Sequence, residues 1–298
     1  MECAIVLGKR GMRRVHLVEA EPEIGGIMRW VPRLPGLGEW GRVLNWRTVQ
    51  LEKLANVEVI TGARLDVDDV RGYGAEIVVI ATGARWAKDG INYVTHAPVD
   101  GADASLPHVL TPEQVMVEGK VPPGERVLVF DCEGYYTGAG IAEKLAGEGF
   151  RVEIVTPFER VAPVCDETLE GPLVRQHLHE VGIVQRLGTF LTRIEPGRAV
   201  AHDEFMEPVE LEADAVVLVT QRLSNEKLYL ELKADEDELR AEGIEGVFRI
   251  GDCVAPRFIS EAVFDGHRLA REIDSENPAG PLPYKRERFT AEAGVPAG

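Results

Sequence analysis

The chain has 298 residues, 45% of them hydrophobic, which is enough for two domains with separate cores. Fifty acidic against 33 basic residues leave a formal charge of −17 and a pI near 4.9. Nucleic acid is therefore repelled, and a basic or positively rimmed protein partner is attracted. No stretch approaches the ~20 apolar residues of a membrane span, and no signal peptide precedes the first helix.

Glu2 to Gly11 reads as a helix, and Val15 to Val18 as a short buried strand with Glu19 at its carboxyl end. In a dinucleotide-binding fold the second strand ends in an acid that hydrogen-bonds the adenosine ribose hydroxyls. A surface acid in a turn is the other reading of Glu19. Gly25 and Gly26 then let the backbone pass close to a bulky group. Neither the G-x-G-x-x-G turn nor the apolar strand that should open this helix stands ahead of Glu2. The expectation is that the chain begins inside a Rossmann unit, without its first strand and phosphate loop. The loop from Ile27 to Trp40 is rich in Arg and Trp. Its Arg29 either meets a pyrophosphate or is a solvated loop arginine.

Val43 to Leu54 follows as an amphipathic helix and Val57 to Thr61 as a strand. Leu65 and its neighbours are placed to approach an adenine ring. Ala75 to Ala84 is a buried strand ending in A-T-G-A, where Ala81, Thr82 and Gly83 are small enough to lie under a dinucleotide. Arg85 to Pro112 reads as a linker to a second domain.

Val127 to Asp131, a helix near Ala139 to Glu148, and Val152 to Thr156 make a second βαβ unit. Its loop suits NAD(P) poorly. At the G-x-G-x-x-G positions stand Asp131, Glu133 and Tyr136, so two carboxylates would repel a pyrophosphate. The second strand ends in Thr156-Pro157, with neither a ribose-binding acid nor an arginine for a 2′-phosphate. Leu169 to Val181 is helical, with His177 and His179 on different faces and no metal pair. Leu187–Ile194 and Ala199–His202 read as strands, and Ala213 to Arg222 contains another buried strand.

The four cysteines, Cys3, Cys132, Cys165 and Cys253, form no C-x-x-C pair. That argues against zinc, iron–sulfur and a disulfide framework, and a reducing cytoplasm is the simplest setting. Leu228 to Leu239 is a charged helix, and Gly246 to Asp252 a strand running into Gly251-Asp252. Ile259 to Ile273 is a helix with small residues Ala262, Gly266 and Ala270, and its amino end offers dipole stabilisation to a phosphate. From Gly280, through Tyr284-Lys285-Arg286-Glu287, the sequence reads as a mobile or docking tail.

V-E-A-E-P-E-I-G-G, L-P-G-L-G-E-W, V-V-I-A-T-G-A-R-W, P-V-D-G-A-D-A-S-L-P, L-T-P-E-Q-V-M, R-I-E-P-G-R, I-G-D-C-V-A-P-R and D-G-H-R-L-A-R-E-I-D occur in that order. Together they resemble the carboxyl-terminal half of the trimethylamine dehydrogenase and histamine dehydrogenase family, whose relatives include the bacterial 2,4-dienoyl-CoA reductases. The resemblance implies an α/β fold of two Rossmann-like, disulfide-reductase-like three-layer domains, the second inserted in the first. Residues 1–106 and 223–298 would form the discontinuous FAD/ADP-type domain, and 107–222 the NAD(P)-type insert with a degenerate loop.

The resemblance further implies ADP where reductases hold FAD. FMN and a 4Fe-4S cluster would lie only in an amine-oxidising barrel half absent from this chain. The full enzyme would be a homo-oligomer passing electrons to an electron-transferring flavoprotein. Glu19 would hold the ribose, Gly25 and Gly26 the ADP edge, and Leu65 the adenine. Ala81, Thr82 and Gly83 would lie beneath the dinucleotide, with Gly251 and Asp252 on the flavin side. No residue of this chain is assigned to catalysis or to a metal. The chain then reads as the ADP/FAD-binding half of a flavin oxidoreductase acting on CH–NH donors, inactive alone. The alternatives are an FAD- and NADPH-dependent reductase of dienoyl-CoA type and a non-catalytic scaffold that docks an electron-transfer partner.

Overall fold

A computed structural model describes residues 1–283. The proposed docking residues from Tyr284 onward lie outside the described residues. The chain opens with α1 (Glu2–Lys9), β1 (Val15–Val18), α2 (Gly41–Glu52), β2 (Val57–Ile60), α3 (Val67–Gly72), β3 (Ile77–Ile80) and β4 (Ala84–Trp86). Next come β5 (Val109–Leu110), α4 (Pro112–Met116), β6 (Arg126–Asp131), α5 (Tyr136–Gly147), β7 (Arg151–Val155), α6 (Gly171–Glu180) and β8 (Val184–Arg186). The strands β9 (Phe190–Glu195), β10 (Arg198–His202), β11 (Pro208–Glu212) and β12 (Ala215–Val219) complete the middle of the chain. It returns through β13 (Arg222–Ser224), α7 (Lys227–Lys233), α8 (Glu236–Ala241), β14 (Gly246–Arg249) and α9 (Ile259–Glu272).

The middle of the chain is built on β6 and β12, whose continuous apolar runs mark strands covered on both faces. They sit at the centre of a five-stranded parallel sheet of order β5-β12-β6-β7-β8. Alternation divides their side chains between two cores. Val127, Val129, Ala215, Val217 and Val219 meet Ile141, Ala142 and Leu145 of α5. Leu128, Phe130, Val216 and Leu218 meet Leu191, Ala199 and Leu211. The latter come from a three-stranded antiparallel sheet of order β11-β10-β9. Helices therefore cover one face of the parallel sheet and a second sheet covers the other.

The flanking segments are built differently. β1 pairs in parallel with β2, β3 in parallel with β14, and β4 antiparallel with β13, each as a separate two-stranded sheet. The expectation of two Rossmann-like three-layer domains is thereby corrected. Among the described residues no continuous sheet joins β1 to β3, so the flanking segments have no single central layer there. The middle segment lacks helices on its second face. Packing of α1 against α9 holds the flanking ribbons instead: a side chain at Gly266 would meet the Cys3 backbone nitrogen at 3.1 Å, so only glycine allows this approach without adjustment. Glu2 fixes the same contact, through Arg47 at 2.9 Å and His267 at 3.2 Å.

Two further differences have local causes. The expected linker 85–112 holds β4 and β5, and it ends in a capping box in which Thr111 and Gln114 satisfy the first turn of α4. The expected helix 228–239 is two helices, because the Asp235 side chain accepts from Glu238 N and starts α8 anew. Among the described residues no helix is long and apolar enough to cross a membrane.

Candidate functional site

Asp131 is the last residue of β6, and α5 begins five residues later, with no side chain of its N-cap Tyr135 capping it. The two acids of the intervening loop serve the orphan N–H groups instead. Asp131 Oδ1 accepts from the backbone N–H of Glu133 and of Gly134, both at 3.0 Å. Glu133 accepts from the N–H of Thr137 in the first turn, at 3.3 Å. Asp131 is wholly buried, and its Oδ2 has no hydrogen-bond partner. It lies over Gly138, where a Cβ would come within 2.5 Å of the carboxyl carbon. Burial raises the Asp131 carboxyl to about 7, against the pull of the two N–H bonds. Burial also raises Glu133, opposed chiefly by Arg222.

Arg222, the first residue of β13, joins this loop to the flanking segments. Its Nε lies 3.8 Å from Glu133 Oε1, its Nη1 donates to Asp252 Oδ2 at 2.7 Å, and its Nη2 donates to the Arg257 carbonyl at 2.8 Å. Asp252 also accepts from the Arg257 N–H at 3.2 Å, and Asp265 accepts from Gly251 N at 3.2 Å and pairs with Arg257. Burial moves the Asp252 carboxyl upward, with Arg222 opposing. Aromatic rings wall this junction: Tyr135 lies 5.0 Å from Phe258 and 4.4 Å from Tyr136, and Tyr93 donates to the Glu133 carbonyl at 3.4 Å. Burial pushes the hydroxyls of both Tyr93 and Tyr135 up to about 12.

The residues singled out in the sequence fall into two groups. Thr82, Gly83, Gly251 and Asp252 gather at the junction. Thr82 donates to the Asn225 carbonyl and its Oγ1 lies 3.4 Å from Cys253 Sγ, while Asn225 N donates to the Gly83 carbonyl at 2.9 Å. Ala81 is exposed beside them. The others have local partners. The Glu19 carboxylate accepts from Glu21 N at 2.9 Å, Arg29 lies 3.7 Å from Glu23, and Leu65 packs on the core around Val70, Ile80 and Leu232. Gly25 has a φ of +125° and faces Leu44, and Gly26 is exposed. Sequence reasoning missed Arg222, Asn225, Arg257 and Asp265. A lone arginine just past a buried strand, V-L-V-T-Q-R, was the available signal for Arg222.

Residues 110–217, which hold the parallel sheet and its covering layers, match the model of the OYE-like second alpha/beta domain. The whole chain is homologous to the dimethylamine and histamine dehydrogenases. It is 43% identical to dimethylamine dehydrogenase of Hyphomicrobium sp. (strain x), over 96% of this chain and 42% of that protein. Histamine dehydrogenase from Rhizobium sp. 4-9 superposes with a TM-score of 0.90 at 35% identity, covering 96% of this chain and 44% of that one. The 6-hydroxypseudooxynicotine amine oxidase from Pseudomonas geniculata N1 gives a TM-score of 0.84 at 38% identity, covering 90% and 39%. The chain thus spans less than half the length of these relatives.

These matches correct the functional reading made from the sequence. The matched domain is described by likeness to OYE and not as an FAD- or ADP-binding half, and the similar proteins are amine-oxidising enzymes. The assignment of ADP or FAD to this chain, with FMN and a 4Fe-4S cluster confined to an absent half, falls with that reading, since nothing in the matches divides cofactors in that way. In this structure Glu19 and Asp252 hold intramolecular partners. The NADPH-dependent dienoyl-CoA reductase alternative meets a loop filled by Asp131 and Glu133. The docking-scaffold alternative is displaced by homology to enzymes.

Proposed function

We propose that this chain is the second α/β part of an amine-oxidising dehydrogenase, with dimethylamine or a closely related N-methylated amine as electron donor. The carrying observation is the likeness to dimethylamine dehydrogenase along nearly the whole chain. In this reading residues 107–222 form one unit, set into another made of 1–106 and 223–298. Arg222 ties the two together through Glu133 and Asp252, while Thr82, Gly83 and Gly251 keep the junction rigid. Electrons leave to a separate redox protein such as an electron-transferring flavoprotein, and the charge of −17 favours an acceptor with a basic docking face. Four buried free cysteines suit a reducing, cytoplasmic setting.

A graft tests the proposal: this chain replaces the matching segment of the Hyphomicrobium dimethylamine dehydrogenase. Dye reduction is then followed with dimethylamine, trimethylamine, sarcosine and histamine. Dimethylamine should give the highest kcat/KM of the four. A folded graft that prefers histamine, or accepts none of them, refutes the assignment.

A further inference from the structure

Among the described residues four other than glycine stand at positive φ, and two of these are large, apolar and exposed: Leu169, at +64° and 83% exposed, and Met206, at +66° and 71% exposed. Both occupy backbone positions that favour glycine. The Leu169 N–H donates to the Asp166 carbonyl at 3.1 Å, and the next N–H, of Glu170, to the Cys165 carbonyl at 3.0 Å, the closure in which a helical turn places glycine. Met206 is the left-handed residue of the β10–β11 loop, where Asp203 Oδ1 accepts from Phe205 N and Glu207 N, both at 2.9 Å. Each side chain therefore combines backbone strain with contact to water. Each also has an exposed apolar neighbour, Leu173 in the first turn of α6 and Phe205 in the loop. Strained positions fixed by their own hydrogen bonds, with apolar side chains held outward, mark a surface that something else covers.

Both points stand at the carboxyl edge of the parallel sheet. The Thr168 hydroxyl, beside Leu169, lies 3.4 Å from that of Tyr136 at the start of α5. The β10–β11 loop extends past Phe190 and His202, which pair in register, and Thr189 N donates to the Thr156 carbonyl just beyond β7. Glu167, Glu170, Glu204 and Glu207 are exposed beside the anchors. Among the described residues no lysine or arginine pairs with any of these four, whereas neighbouring Asp166 holds Arg160 and Arg175. A second copy seated here across a two-fold axis would set like carboxylates against each other. A partner with lysine or arginine around an apolar pocket is attracted. We propose that Leu169, Leu173, Phe205 and Met206 anchor a docking surface for a redox protein whose face combines an apolar pocket with a basic rim. This rests on the reading that electrons leave the enzyme to a separate protein. Holding the anchors in place beforehand lowers the ordering cost of the encounter.

The test is binding of the full chain to immobilised, purified electron-transferring flavoprotein of Hyphomicrobium sp. at low and high salt. Two double variants, L169G/L173S and F205S/M206G, accompany it, with V121S as a control that removes a side chain 75% exposed elsewhere. The native chain and V121S should bind saturably and more weakly at high salt. Each double variant should bind at least ~10-fold more weakly, as expected on losing central anchors. Their melting midpoints should be unchanged or raised, because glycine relieves the strain at 169 and 206. A purely structural role for these side chains would lower the midpoints instead. No saturable binding by the native chain overturns the proposal, as does a double variant that binds like it or an equal loss in V121S. Self-association of the native chain in sedimentation that the double variants abolish also overturns it, since the surface would then serve a second copy. Dye reduction by the graft involves no protein acceptor, so failure there refutes the amine-oxidising reading, and failure here refutes the docking surface alone.

Discussion

Replacing Asp131 by Asn removes a charge from the interior without changing shape, and its effect on stability has a definite pH signature. The carboxyl stands near 7 in the folded chain, because burial outweighs two N–H bonds, against an ordinary value of 3.8. Folding therefore favours the proton-bound form. The stabilisation is complete below the unfolded value and is lost as pH rises through about 7. At about 1.4 kcal/mol per pH unit of displacement, the full loss comes to roughly 4 kcal/mol, and relaxation of the buried site brings the expected figure to ~2–4 kcal/mol. Asn keeps a carbonyl oxygen for the Glu133 and Gly134 N–H groups and cannot ionise. The assay is urea unfolding of the native chain and D131N at pH 5 and pH 8. Other titrating groups, including Glu133 and Asp252, are common to both proteins, so the difference of differences isolates Asp131. The native chain should lose roughly 1.5–2.5 kcal/mol more than D131N between the two pH values, because part of the full loss is already taken below pH 5. Parallel pH profiles would refute the assignment of a buried, poorly compensated carboxyl.

Three other outcomes follow from the same geometry. Gly138→Ala places a methyl 2.5 Å from the Asp131 carboxyl carbon and should cost about 1–3 kcal/mol in denaturant melts. Asp131→Ala should recover part of that cost in a double-mutant cycle. Arg222→Met leaves the largely buried Glu133 without its cation and Asp252 with Arg257 alone. It should cost ~3–5 kcal/mol, less at pH 5 than at pH 8 because both acids can then take up protons. Asp214 is held well below the usual carboxylate range by the Arg126 side chain and by the N–H groups of Arg126 and Glu125. Its contribution is present above the unfolded value and lost as pH falls toward the folded one, so Asp214→Asn should flatten the acid limb of the pH–stability curve.

How much was legible depended on how local the determining interactions are. Val127 to Asp131 and Ala213 to Val219 declare themselves through nearly unbroken apolar runs, and the two acids of D-C-E-G-Y-Y stand out in the loop that follows the first of them. What the acids do there, feeding helix N–H groups and filling the space over Gly138, depends on Cartesian proximity that no spacing rule encodes. β13 went unseen because Arg-Leu-Ser is too short and too polar to signal a strand, and it exists only because Ala84 to Trp86 pairs with it. The start of α6 was placed too early. Leu169 has a φ of +64° and is 83% exposed, and the helix opens at Gly171-Pro172. The error in fold class has a similar origin. Strand-like segments at 15–18 and 77–80 are visible in the pattern, but whether they share one sheet is decided by hydrogen bonds between strands distant in sequence. Asp252 was singled out for a flavin; its burial and its pairing with Arg222 were both invisible.

Dimethylamine and NADH compared as electron donors to the grafted dehydrogenase test the account most directly, because it assigns the electrons to an amine and not to a reduced nicotinamide. With an artificial dye as acceptor, dimethylamine should support turnover within ~10-fold of the parent enzyme, a loss of no more than about 1.4 kcal/mol in barrier height. NADH should give no dye reduction above the enzyme-free rate. NADH-driven turnover in a graft that ignores dimethylamine would contradict the account.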